Sequence, residues 1–242
     1  GGLFNALGLT RHSAFTLAEV LITLGIIGVI AAMTLPTLNG YYKKQEIVVR
    51  LKKFYSTLNN ALLMSVADNG DMVYWEYPKQ QNNGEQMSEF VNKYLFPYFS
   101  GIKECSTDKD KSTADCQKIA THLFGTNYYT KKFPSYIFSD GGCFSILPGG
   151  SSETAGLMHI MYDINCLGKP NLQNRDIFAL TISHGKSFKL TVGSASTRNL
   201  TKREDIMKEC KNEEASPHSL GACGALIFID GWEIKDDYPF KI

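Results

Sequence analysis

The sequence predicts an α+β protein in which a long N-terminal α-helix, membrane-spanning in its first half, packs by its second half on a C-terminal antiparallel β-sheet domain. Three observations carry this prediction. Residues 20–42 contain no Lys, Arg, Asp or Glu and are mostly apolar. The residues that follow keep apolar side chains at helical spacing, with no loop composition between. From residue 135 onward, short apolar runs alternate with turn residues. The composition agrees: 242 residues, 43% of them hydrophobic, suffice for one folded domain and an additional element. The 25 Lys and Arg nearly balance the 24 Asp and Glu, so there is no broad basic footprint and no nucleic-acid partner is expected.

Residues 15–38, FTLAEVLITLGIIGVIAAMTLPTL, form the first element. As a helix these 24 residues rise about 36 Å, enough to cross a hydrocarbon core of about 30 Å with some tilt. A cleaved secretory signal is the alternative, because Arg11 precedes the run and Ala31-Ala32 offers small residues at its end. Glu19 inside the run and the helical pattern beyond it count against that alternative. In residues 39–70, Val48, Leu51, Tyr55, Leu58 and Leu62 make one apolar stripe among Lys44, Arg50, Lys52, Lys53 and Asn60. Pro36 is expected to bend the helix where it leaves the membrane, and Asp68-Asn69-Gly70 to end it.

Residues 71–242 form the extracytoplasmic globular part. Residues 1–70 carry +3 of the total +1, which leaves −2 for this domain. Residues 86–99 have helical spacing closed by Pro97. Residues 135–138 and 143–147 flank Asp140-Gly141-Gly142, a hairpin signal. Residues 157–164, 176–183 and 187–192 read as further strands, most economically in an antiparallel meander. Thr201 with Glu204 has capping-box spacing for a short helix through residue 210. Residues 222–232 are ambiguous between helix and strand.

Six cysteines, Cys105, Cys116, Cys143, Cys166, Cys210 and Cys223, are an even count without a C-x-x-C pair, which points to disulfides and an oxidising compartment. Sequential pairing is the first expectation among several. Glu19 is the most informative single residue, because a carboxylate at mid-membrane costs about 2.5–3.5 kcal/mol on insertion scales. A cut just before Phe15 would create an α-amino group able to pair with Glu19 of a neighbouring copy. Alternatively, Glu19 lies at the membrane interface or pairs with the amine of its own chain.

Residues 13–28, SAFTLAEVLITLGIIG, resemble the cleavage and methylation motif of type IV pilins and of the pseudopilins of type II secretion. The resemblance implies a pilin-like fold, with residues 1–14 as a leader peptide. It implies cleavage by prepilin peptidase between Ala14 and Phe15, N-methylation of Phe15, and a role for Glu19 in setting the register of incoming subunits. Ala14 stands where the family nearly always has Gly. Gly25 and Gly28 are where such helices loosen on packing, and Pro36 falls where pilins commonly have a proline. The implied partners are prepilin peptidase, other pilin or pseudopilin subunits in a homo- or hetero-filament, and an inner-membrane assembly platform. The implied location is the bacterial inner membrane, with one pass and the C-terminal domain outside the cytoplasm, and the periplasm or cell surface after assembly. The cations disagree with that topology, since Arg11 precedes the run while Lys43, Lys44, Arg50, Lys52 and Lys53 follow it. The motif and the cysteines outweigh that count.

Some pseudopilins bind calcium in an inter-strand loop, and Asp163, Asn165, Asn171, Asn174 and Asp176 concentrate oxygen ligands in one such loop. A loop capped by its own Asx side chains explains the same composition. No other cofactor is implied. A membrane-anchored extracytoplasmic hydrolase or binding module is the competing class. Its support is thin: His122, His159, His184 and His218 are scattered, and no H-E-x-x-H or G-x-S-x-G occurs. The aromatic pairs Trp75/Tyr77 and Tyr128/Tyr129 fit either a core or a binding face. The sequence reading is therefore a structural subunit, a substrate of an enzyme and not an enzyme itself.

Overall fold

In a computed structural model of the chain, helix α1 covers Leu17–Asn69 and passes through Pro36. The structure describes residues 16–80, 83–105, 119, 123, 133–149, 156–166, 168–184, 188–212 and 221–242, with the backbone alone at 36 and 37. Gly70 stops the helix. Its φ of +77° is left-handed and its N–H donates to the Val66 carbonyl at 2.9 Å, the usual glycine end of a helix. The Trp75 indole N–H then donates to the Gly70 carbonyl at 3.0 Å and fixes the exit. The chain divides into two compact units, Gly1–Tyr42 and Lys43–Ile242, and α1 contributes to both.

Within the second unit, α1 buries Ile47, Val48, Leu51, Phe54, Leu58, Ala61 and Leu62, the 3–4 residue spacing of one helix face. Phe54 lies at the centre of that face, where the sequence reading placed Tyr55. The two residues share the work: Phe54 faces the sheet, while Tyr55, one residue round the helix, meets Phe228 and Trp232 at centroid distances of 5.7 and 5.6 Å. Polar contacts secure the same stretch. Arg50 donates to the carbonyls of Asp140 and Ile164, both at 3.1 Å, and Lys53 pairs with the Asp140 carboxylate at 2.6 Å. Burial works against the Asp140 carboxylate. The hydrogen bonds from Lys53 and the Gly142 N–H, with the charges of Lys53 and Arg50, nevertheless hold its pKa below the usual range.

A 3₁₀ turn, Met72–Tyr74, leads to helix α2, Gly84–Tyr94, which Asn83 caps by accepting the Gln86 N–H at 3.0 Å. A second 3₁₀ turn, Phe96–Tyr98, carries the proline expected to close this helix. Six strands follow: β1 Ile102–Cys105, β2 Ser135–Phe138, β3 Cys143–Gly149, β4 Leu157–Asp163, β5 Ile177–Ser183 and β6 Lys189–Val192. Their spatial order equals their chain order and every pairing is antiparallel, so the sheet is the expected meander. The register brings Tyr136, Phe144, Tyr162 and Phe178 into one row across β2 to β5. Phe54 stacks on Tyr162 at 4.1 Å with the rings 5° from parallel. Alternate residues, Cys143, Met161, Ile177 and Ala179, face the other side and form a second core.

Helices α3, Arg203–Cys210, and α4, Cys223–Ile229, complete the domain. The capping box expected at Thr201 and Glu204 does not form: Lys202 is the N-cap and makes no side-chain cap bond. The start of α3 is held instead by Arg203, whose guanidinium grips Asp230 at 2.7 and 2.9 Å and Asp237 at 2.7 and 2.8 Å. The ambiguous segment 222–232 is helical over α4, which buries Cys223, Gly224, Ala225, Leu226 and Ile227 while Phe228 and Ile229 stay exposed. Strand β1 carried no sequence signal, since Lys103 and Glu104 interrupt any apolar alternation at this sheet edge.

Candidate functional site

The first half of α1 is apolar and exposed. Leu17, Ile22, Leu24, Ile27 and Met33 are all at least 60% exposed, whereas Leu51 and Leu58, farther along the same helix, are fully buried. Among the described residues, α1 is the one helix long and apolar enough to cross a membrane, judged by length and composition. Two of its hydroxyls bond back to the helix. The Thr23 hydroxyl donates to the Glu19 carbonyl at 2.9 Å, and the Thr34 hydroxyl to the Ile30 carbonyl at 3.0 Å.

Among the described residues, Glu19 sits in the first turn of α1, near the start of the apolar run. Its carboxylate accepts the Thr16 N–H at 2.8 Å and the Thr16 hydroxyl at 2.9 Å, while its own N–H donates to that hydroxyl oxygen at 3.2 Å. This reciprocal pair is a capping box. The signal for it, Thr16-Leu17-Ala18-Glu19, stood in the sequence, and only its acidic member was singled out. Gly25 and Gly28 lie on α1 with open space where a Cβ would be, so nothing in the described chain crowds them. Pro36 is within the helical stretch. Ala14 and Phe15 lie outside the described residues.

The cysteines build a different kind of site. Cys143 and Cys166 form a disulfide across a Cα separation of 5.1 Å, and Cys210 and Cys223 form another across 4.7 Å, as sequential pairing expects. Cys105 is also disulfide-bonded, and Cys116 lies outside the described residues. The first bridge closes on the loop between β4 and β5, where the acidic and amide side chains collect. Asp176 accepts the N–H groups of Asn171 at 2.7 Å and Leu172 at 2.6 Å, and Asp163 accepts that of Asn165 at 2.9 Å. Burial, aided by the nearby Asp163 charge, pushes the Asp176 carboxyl up despite the two N–H bonds it accepts. Asn174 reaches away, accepting the Cys223 N–H at 3.0 Å.

One further contact distinguishes this loop. The side-chain amide of Asn165 donates to the Gly168 carbonyl and to a carboxylate oxygen of Asp163, both at 2.9 Å. That of Asn171 donates to the Cys166 carbonyl at 2.8 Å and also to that of Gly168. The loop is thus closed by its own Asx side chains. Among the described residues, no three His, Cys, Asp or Glu side chains are grouped to hold a metal.

The remaining sequence candidates are packed. Trp75 is buried and stacks on Tyr94 at 4.5 Å. Tyr77 lies between Phe90 at 5.2 Å and His184 at 3.7 Å, and burial pushes the His184 ring down to about 4, which keeps it neutral at neutral pH. His122, His218 and Tyr128/Tyr129 lie outside the described residues.

Residues 37–242 match a family described as a family of unknown function, DUF6613. The chain belongs to this family. No solved structure matches it. The DUF6613 match takes in the sheet, the disulfides and the packed half of α1, and leaves Glu19 and the apolar run up to Pro36 outside its bounds.

Proposed function

We propose that this DUF6613 protein is a type IV pilin-like structural subunit, a pseudopilin or minor pilin. In this reading, prepilin peptidase cuts between Ala14 and Phe15 and methylates the new amine. An inner-membrane assembly platform then packs the chain with other subunits into a pilus or type II secretion pseudopilus. The observation that carries the reading is the division of α1. Its first half presents apolar side chains in every direction behind a single carboxylate in the first turn, and its second half is buried against a sheet. A helix apolar all round needs lipid or other helices around it. Leaving the lipid for a bundle of like helices keeps that surface away from water, and pairing Glu19 with a neighbour's amine neutralises both charges as it happens. The folded part is carried along by the helix, closed by the Cys143–Cys166 and Cys210–Cys223 disulfides. The experiment is co-expression with a prepilin peptidase and an assembly platform, followed by shearing. Recovery of the chain in the sheared, sedimentable fraction is the expected result, and its retention wholly in the membrane fraction argues against the reading.

A further inference from the structure

If α1 crosses a membrane, as the proposed function requires, the chain also records where along the helix the bilayer begins and ends. Two polar features bracket the apolar run. At one end is the capping box of Thr16 and Glu19, which fixes a carboxylate and a hydroxyl at the first turn. At the other are Tyr41 and Tyr42, 59% and 61% exposed, whose rings meet edge to face at 6.0 Å. That is the one ring contact of either tyrosine among the described residues. Lys43, which follows, is exposed and has no ion pair among the described residues, while Lys44 is drawn to Asp236 at 3.2 Å.

The spacing of the two features is informative. Glu19 and Tyr41 are 22 residues apart, a rise of about 33 Å, against a hydrocarbon thickness of about 30 Å. Every residue between them is uncharged, and the hydroxyls of Thr23 and Thr34 are bonded back to the helix. Tyrosine has an apolar ring and a polar tip, and collects where hydrocarbon meets headgroups. A lysine just beyond it reaches the phosphates. Neither tyrosine has a place in the folded core.

We propose that Tyr41, Tyr42 and Lys43 form a headgroup-binding belt for anionic phospholipid, and that the Thr16–Glu19 cap lies in the opposite headgroup layer. The bilayer then covers residues 20–40, a few residues later than the run of residues 15–38 that hydropathy alone selects. Glu19 of the unassembled subunit rests in a hydrated layer with its own Thr16, at little cost, and enters an apolar setting only when other helices surround it.

Depth-resolved fluorescence quenching tests this. The full chain is placed in phosphatidylethanolamine–phosphatidylglycerol vesicles doped with lipids brominated either near the glycerol end or near the chain end. Ile30→Trp, Tyr41→Trp and Leu17→Trp are compared, with the unsubstituted chain supplying the background from Trp75 and Trp232. Tyr41→Trp and Leu17→Trp are expected to lose more emission to the shallow bromines, and Ile30→Trp more to the deep ones. A Tyr41→Trp signal quenched as deeply as Ile30→Trp, or untouched by both lipids while Ile30→Trp is quenched, overturns the belt and leaves the spanning helix intact. An Ile30→Trp signal that neither lipid quenches overturns the spanning helix itself. Lys43→Glu, which preserves the fold's packed residues, is expected to weaken the shallow quenching at position 41 in phosphatidylglycerol vesicles, and unchanged quenching there would remove the lysine from the belt.

Discussion

Glu19→Gln is expected to leave the chain in the membrane and to abolish its recovery in filaments. The substitution separates the capping contact of Glu19 with Thr16 from the charge pairing proposed for assembly. Glutamine at this position of a capping box still accepts the Thr16 N–H, so the start of α1 survives. It carries no charge, however, and cannot neutralise the amine of a neighbouring subunit inside an apolar bundle, where an unpaired charge costs several kcal/mol. Glu19→Ala loses both roles and is expected to weaken the helix start as well. Western analysis of membrane and sheared fractions reads both variants. Filament recovery equal to the parent for Glu19→Gln would leave Glu19 as a helix cap and nothing more.

Phe54→Ala is expected to cost the folded domain about 3–5 kcal/mol, the range for deleting a buried aromatic ring. Phe54 is 2% exposed. It stacks on Tyr162 and lies within 5.3 and 5.9 Å of Phe144 and Phe138, so one ring joins α1 to three strands. For a domain of this size that loss lowers Tm by about 10 °C, a large part of a typical stability of about 5–15 kcal/mol. Phe54→Leu retains most of the buried area and should fall between Ala and the parent. Circular dichroism melts of the three proteins in detergent measure this. An Ala variant that melts with the parent would mean that the packing of α1 on the sheet contributes little to the fold.

The contrast between Phe54 and Tyr55 shows what the sequence could and could not convey. Apolar spacing made the helix and its buried face legible, because the 3.6-residue period is a one-dimensional signal. Which of two adjacent aromatics met the sheet depended on α4, whose own segment was ambiguous, and so on partners far away in the chain. The strand pairs around Asp140-Gly141-Gly142 were legible from turn chemistry, and two of the disulfides from spacing. Strand β1 was not, since an edge strand with Lys103 and Glu104 at its middle draws its identity from the neighbour it pairs with. Thr201 and Glu204 had the right spacing and formed no cap, since the helix starts one residue later than that spacing requires, with Lys202 at the N-cap position. At the site, Glu19 stood out as a charge in an apolar run. Its partner Thr16 and the belt at Tyr41 and Tyr42 did not, as their meaning lies in local hydrogen bonding and in distance along the helix.

The central claim, that α1 is a processed assembly helix, is tested most directly by mass spectrometry of the N-terminus after co-expression with a prepilin peptidase. The account predicts a mature chain that begins at N-methylated Phe15. A chain left uncut, or cut near Ala32 as a secretory signal would be, would contradict it.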